Sequence, residues 1–321
     1  MSDDVPAADQ STRRFPLPSP GMTACVTLVV ILAGVTLSVW WPYHCEQRVL
    51  EEVDALPGIH AHAGYRYIGP RLFEEYADRS WMRWFGRIEE LKITDSRPGM
   101  PPPSTSVGPS VTRIPNLKLL RRCTTLKLYR VPLQDRDCLK GAVACDGLRV
   151  VEFGGCQLER ESLHGLDEHA GIVEIVMTSC SVDGEVLELP NLPSLRSFRG
   201  NHAWFRQLDV SQTPNLRRVE AKNCSFSDEG VRMLLEAPHL EVLMFTYGRL
   251  TDAAIDDLVQ LRSIRFLDFR WNPRLTREGV ERLADLPRLT SVNVYGTGAA
   301  DPDLNDLQKV LPQAQSSRYQ L

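Results

Sequence analysis

The chain lacks the short signatures of the common catalytic families. In 321 residues there is no G-x-S-x-G, no G-x-x-x-x-G-K, no H-E-x-x-H and no C-x-x-C. These absences exclude a nucleophile elbow, a phosphate-cradling P-loop, a zinc-protease helix and a thioredoxin-type dithiol; no enzyme and no cofactor is expected. An excess of one charge is missing too, since 37 Lys and Arg stand against 41 Asp and Glu for a net charge of -4. That balance points neither to nucleic acid nor to a strongly acidic partner. Metal-ligand spacings fare no better. HGLDEH holds His164, Glu168 and His169 one residue off the H-x-x-E-H spacing. In register with the repeats described below, His169 takes an inward helix position and is read as packed. His60 and His62 in GIHAHAG face one side of a strand, two ligands without a third.

Long apolar runs are absent with one exception. Met22 to Trp41, MTACVTLVVILAGVTLSVWW, carries no charge and has the length of a helix that spans a bilayer. Arg13 and Arg14 precede it and Trp40, Trp41 and Tyr43 follow, as a cytoplasmic basic flank and an interfacial aromatic belt do. The expectation is a cytoplasmic tail over 1–21, a transmembrane helix over 22–41 and an extracytoplasmic remainder, a single-pass protein of the cell membrane. A cleaved signal peptide would instead make a secreted binding protein. Its small-x-small site would be Thr36-Leu37-Ser38, inside the apolar run.

What fills the rest is repetition. LTREGVERLADLPRLTSVNV at 275–294 matches LTDAAIDDLVQLRSIRFLDF at 250–269 and FSDEGVRMLLEAPHLEVLMF at 226–245. The tail of each copy is L-x-x-L-x-L: Leu240, Leu243, Phe245; Ile264, Leu267, Phe269; Leu289, Val292, Val294. The same ruler places earlier sets starting at Leu216, Leu195, Ile172, Leu148 and Cys123, with successive steps of 21 to 25 residues, and a further set at Ile88, Leu91 and Ile93. The tail alternates at period two and reads as a strand. The part before it carries Val280, Leu283 and Leu286, or Ile255, Leu258 and Leu261, at helical spacing, with Thr251 and Thr276 placed to cap. One strand and one short helix cannot cover their own apolar faces, so the copies must stack.

On these residues the chain resembles leucine-rich repeat proteins of the subclass whose helix opens L-T-D-x-G-L. More narrowly it resembles the membrane-anchored ones of planctomycetes. The resemblance covers about residues 88 to 311 and implies an α/β solenoid with parallel strands on a concave face and short helices or turns on the convex face. The repeats around 182–200 and 201–221 are short and lack the L-T-D opening, so turns are expected there on the outer face. Residues 42–87 read as linker and N-terminal cap, with a charged helix in EQRVLEEVDAL, a strand in HAGYRYIG and capping assigned to 65–87. The repeats run over 88–300, interrupted by a Pro-, Gly- and Ser-rich loop at 96–110. Residues 301–321 form a C-terminal cap in which Leu304, Leu307 and Val310 keep helix spacing without a following strand.

Cys156, Cys180 and Cys224 each fall three residues after the last strand position, where the family pattern wants Asn or Cys, and Asn272 holds that place later. The resemblance implies inward side chains that bond the turn leaving the strand. Cys123 and Cys138 read as core, whereas Cys45 and Cys145 are expected to be exposed. The residues between the inward strand positions point to the concave face, which such solenoids use for binding. There Arg199, Arg218 and Lys222 are expected to form a basic cluster beside an exposed apolar strip of Val242, Met244 and Phe266. The candidate partner-binding set is Arg199, Arg218, Glu220, Lys222, Met244, Phe266, Asp268, Arg270 and Tyr295. The sequence reads as a membrane-anchored scaffold for a protein partner, with a ligand-sensing receptor subunit as the rival.

Overall fold

The structure is a computed structural model and describes residues 19–56, 58–69, 85–95, 113–133, 135–299 and 304–317. The expected cap at 65–87 lies largely, and the loop at 96–110 wholly, outside the described residues. The chain divides into two units, 1–42 and 43–321.

The first unit holds helix α1 (Pro20–Val35), which passes into a wider turn at Thr36–Trp40. Ser19 caps it, its hydroxyl accepting from Met22 N at 3.4 Å, and Pro20 supplies a first-turn residue that has no amide to satisfy. The few hydroxyls inside the run are bonded within the helix: Thr27 donates to Thr23 O at 2.8 Å, Thr36 to Leu32 O at 2.8 Å and Ser38 to Gly34 O at 2.6 Å. No residue of α1 is buried. The helix, Pro20–Asp54 in all, is long and apolar enough to cross a membrane by length and composition.

Helix α2 (Trp41–Asp54), which includes the charged run expected to be helical, begins two residues before the second unit, and its Val49 and Val53 are buried. Its Glu46 is also buried and accepts from Ile88 N at 3.2 Å. An 11-stranded sheet follows in chain order. Its strands are β1 (Ile59–Tyr67), β2 (Gly86–Asp95), β3 (Thr125–Tyr129), β4 (Val150–Gly154), β5 (Glu174–Thr178), β6 (Ser197–Asn201), β7 (Arg218–Lys222), β8 (Val242–Thr246), β9 (Phe266–Asp268), β10 (Ser291–Asn293) and β11 (Ala314–Gln315). β1 runs antiparallel to β2 and every later pair is parallel in register, so Leu126, Val151, Ile175, Phe198, Val219, Leu243, Leu267 and Val292 stack rung on rung. All eight are fully buried.

The outer side carries α3 (Lys140–Val143), α4 (Asp228–Met233), α5 (Asp252–Leu258) and α6 (Arg277–Glu281). Thr251 and Thr276 are N-caps, accepting from Ala253 N and Gly279 N. The Asp of each opening also grips the next repeat. Asp228 accepts from the Thr251 amide at 2.9 Å and its hydroxyl at 2.6 Å, and Asp252 does the same for Thr276 at 2.9 and 2.6 Å.

Two details differ from expectation. The short repeats lack helices, but their outer segments are not only turns, for Val186–Glu188 pairs in parallel with Gln207–Asp209 as a small convex sheet. At the C-terminus α7 (Leu304–Val310) is followed by a strand after all, since β11 pairs with β10. There Leu307 and Leu311 are buried while Val310 is exposed.

Candidate functional site

The eight rungs β3 to β10 leave their strands through the same backbone event. Arg130, Ser179, His202, Asn223, Tyr247 and Trp271 all have φ between 52° and 63°, and Gly155 and Gly296 take the equivalent place. The left-handed residue turns the chain off the sheet and aims its own amide at the next rung, as in Tyr247 N to Arg270 O at 3.0 Å and Trp271 N to Tyr295 O at 2.9 Å. For a residue with a Cβ this conformation costs about 1–2 kcal/mol.

Behind that turn sits the ladder that the sequence placed at Cys156, Cys180, Cys224 and Asn272. Cys156 Sγ donates to Leu128 O at 3.3 Å, Cys180 Sγ to Phe153 O at 3.4 Å and Cys224 Sγ to Gly200 O at 3.4 Å. Asn272 donates to Phe245 O at 2.6 Å and Phe269 O at 2.9 Å and accepts from Leu250 N at 3.2 Å. Each residue thus ties its turn to the preceding rung. Burial pushes the Cys224 thiol up to about 12. Cys145 departs from its expected exposure. It is buried and donates to Leu120 O at 3.2 Å and Cys123 O at 3.5 Å, because the turn before β4 packs on the turn before β3. His169 is buried as expected but lies past the short turn of helix at Ser162–Leu166. Its Nε2 is 2.9 Å from Cys145 O and its Nδ1 accepts from Gly171 N at 3.1 Å, so both ring nitrogens are engaged.

This is a leucine-rich repeat solenoid. No protein-family model matches the chain, and no curated protein does. Among solved structures it is similar to the internalin inlF of Listeria monocytogenes, at 14% identity over 65% of this chain and 72% of that one, with a TM-score of 0.40. The internalin inlC2 of the same species aligns at 14% identity over 70% of this chain and 77% of that one, with a TM-score of 0.39. Mouse RP105, in its complex with MD-1, aligns at 12% identity over 64% of this chain and 45% of that one, with a TM-score of 0.38.

The solenoid's concave residues are arranged differently from the expected cluster. Arg199 on β6 is held by Glu174 on β5, Nε to Oε1 at 2.7 Å. Arg218 and Lys222 on β7 both bond Glu220 between them, at 3.1 and 2.8 Å. Asp268 on β9 takes the Arg270 fork through both oxygens, at 2.9 and 2.7 Å. Lys127 on β3 stands between Glu90 and Glu152 at 2.9 and 3.6 Å. Each cation of the expected basic cluster is therefore bonded to a carboxylate, Arg218 and Lys222 sharing one. Met244 is not exposed but 3% accessible, covered by Glu220 and Asp268 in register on either side. Phe266, Val242 and Ser291 remain half-buried on neighbouring rungs.

Of the aromatic edge beside them, sequence reading named Tyr295 and missed Tyr247 and Trp271. Tyr247 stacks on Trp271 with centroids 5.4 Å apart and planes at 16°, and Trp271 meets Tyr295 edge-on at 5.0 Å. Tyr247 is 57% exposed, against the cost of its left-handed backbone. The signal was available as aromatics at 247, 271 and 295, at the places where the rungs leave the sheet.

Proposed function

We propose that the chain is a membrane-anchored interaction scaffold, held by residues 22–41, whose repeats bind a protein partner on the concave face. The narrower likeness to membrane-anchored planctomycete leucine-rich repeat proteins belongs to this reading, supported by helix openings S-D-E-G, T-D-A-A and T-R-E-G, each one residue off T-D-x-G, and by the apolar N-terminal helix. The observation that carries the reading is the surface of the rungs β8 to β10. Val242 and Phe266 lie at one end of these strands and the Tyr247–Trp271–Tyr295 ladder at the other, with the Asp268–Arg270 fork between. Half-buried aromatic rings next to arginine are the groups that dominate protein interfaces. The bulky residues kept in left-handed backbone support a role for that edge, since strain of this kind gathers at ligand-contacting positions. Arg199, Arg218 and Lys222 supply a polar rim whose cations already hold carboxylates, Glu174 for the first and the buried Glu220 shared by the other two, which favours specificity over affinity. Met244 and Asp268 act from beneath as supports.

The test is photo-crosslinking in native membranes with the full chain. A photoreactive residue in place of Phe266 should give one discrete protein adduct, and the same probe in place of Ala284 on the convex side should give none. Trp271→Ser and Arg218→Glu should each weaken adduct formation about tenfold or more, the equivalent of about 1.4 kcal/mol or above. Equal labelling from both faces, or labelling indifferent to both changes, would sink the reading.

A further inference from the structure

The rim where the strands begin holds a second feature, away from the concave pairs. Arg217, Glu241, Arg265 and Thr290 stand one residue ahead of β7, β8, β9 and β10, and together with His239 and Arg288 they line an open cleft of about 510 Å³. Its polar groups divide into bonded and unbonded. Arg217 donates to Glu241 at 2.8 Å, and the Thr290 hydroxyl donates to Arg265 O at 2.8 Å. Arg265 and Arg288 have no side-chain hydrogen bond or ion pair among the described residues. The backbone of Arg265 is fixed on both sides, its amide donating to Glu241 O and its carbonyl accepting from Thr290 N, each at 2.8 Å. Its guanidinium therefore starts from a rigid rung.

The concave face gives the contrast. On the concave face Arg199, Arg218 and Arg270 each hold a carboxylate. At this rim three guanidiniums and an imidazole share one carboxylate, and Arg217 already occupies it. Two unpaired guanidiniums opening into one cleft are best answered by a compact group with two negative charges. We propose that the cleft binds a phosphate monoester dianion, with Arg265 and Arg288 each offering a planar fork of donors to its oxygens. A phosphate monoester brings about -1.5 to -2 charges near neutral pH, whereas a carboxylate or a sulfate monoester brings one. A volume of about 510 Å³ falls within the range of roughly 300–1,000 Å³ for small-molecule sites, room for the ester and part of its carrier. The site shares no residue with the proposed partner surface, so either can fail without the other.

Calorimetric titration of the full chain in uncharged detergent, at constant ionic strength, tests this. Inorganic phosphate and glucose 6-phosphate should bind saturably at one site; tighter binding of the sugar phosphate assigns the cleft to an ester, and tighter binding of phosphate to the free ion. Acetate and methyl sulfate should bind about tenfold more weakly. The paired change Arg265→Gln with Arg288→Gln should lower phosphate affinity at least about tenfold with the thermal midpoint unchanged, each single change doing so several-fold. Arg262→Gln, whose guanidinium already donates to Asp285 O at 3.0 Å, should leave binding alone. Phosphate binding that never saturates, or that survives the paired change intact, overturns the proposal.

Discussion

At the scale of single residues, the inward thiols act as hydrogen-bond donors to carbonyls near the strand ends of the preceding rung. Cys180 donates to Phe153 O at 3.4 Å and lies 3.5 Å from Thr178 O, with no room for water in a fully buried site. Cys180→Ala should therefore cost about 1–3 kcal/mol, the penalty for leaving a buried acceptor without its donor, measured as a fall in the denaturation midpoint of the full chain. Asn272→Ala should cost more, because it removes two donors and an acceptor at once. The raised Cys224 thiol gives a pH dependence with a definite sign. Its proton is held more tightly folded than unfolded, since burial lifts it from the ordinary 9.0 to about 12. That contribution is complete below pH 9.0 and is lost as pH rises toward about 12. Stability should fall between about pH 9 and 11, and Cys224→Ala should flatten that part of the profile; an unchanged slope would contradict the assignment. The thiols at 156, 180 and 224 were legible because they sit on the family pattern. Cys145 was not, because it lies in a turn whose neighbour in space is another turn 22 to 25 residues away. Met244 was misjudged for a related reason. Strand parity tells which way a side chain points, and the residues flanking it on adjacent rungs decide how far it is covered.

At the scale of elements, the residues that open the convex helices, S-D-E-G, T-D-A-A and T-R-E-G, answer to contact between consecutive repeats. The Asp252 carboxylate that brackets Thr276 also lies against the start of α6, where a Cβ added at Gly279 would come within 2.1 Å of Asp252 Oδ1. The equivalent residue one repeat earlier, Ala254, is buried and accommodated although Asp228 brackets Thr251 in the same way, so the close approach at Gly279 comes from where Asp252 itself lies and not from the opening as such. Gly279→Ala should destabilise by about 1–3 kcal/mol through overpacking. Combining it with Asp252→Ala should cost less than the two single changes added, with a coupling of about 0.5 kcal/mol or more by denaturant midpoints. Strict additivity would show that the two residues do not meet. The strands and the capped helices were legible because apolar spacing and cap chemistry are local. The convex pair Val186–Glu188 and Gln207–Asp209 was not, since three residues carry no period and pair only because stacking sets them at one height. β11 escaped notice in the same way, as a two-residue strand with a partner supplied by β10.

At the scale of the whole repeat unit, order along the sheet equals order along the chain, so each rung is supported by its two neighbours and by little else. Such an array should tolerate loss of one complete rung and not loss of half a rung. Deleting 247–270 joins Thr246 to Trp271, which can take over the left-handed turn that Tyr247 occupies. Val242 and Phe266 are partners, as are Phe266 and Ser291, so Val242 would then face Ser291 in unbroken register. On the convex side Asp228 would bracket Thr276 in place of Asp252, and the apolar column would lose Leu267 but keep Leu243 against Val292. The shortened chain should therefore unfold in one cooperative transition at a lower midpoint, with native-like near-ultraviolet circular dichroism. Deleting only 247–258 removes α5 and leaves β9 without a return path, exposing Leu267 and Phe269 that are fully buried in the intact chain. That variant should lose cooperativity and bind a hydrophobic dye. If the two deletions unfold alike, the repeats are not the independent rungs that the register implies, and longer-range contacts hold the stack.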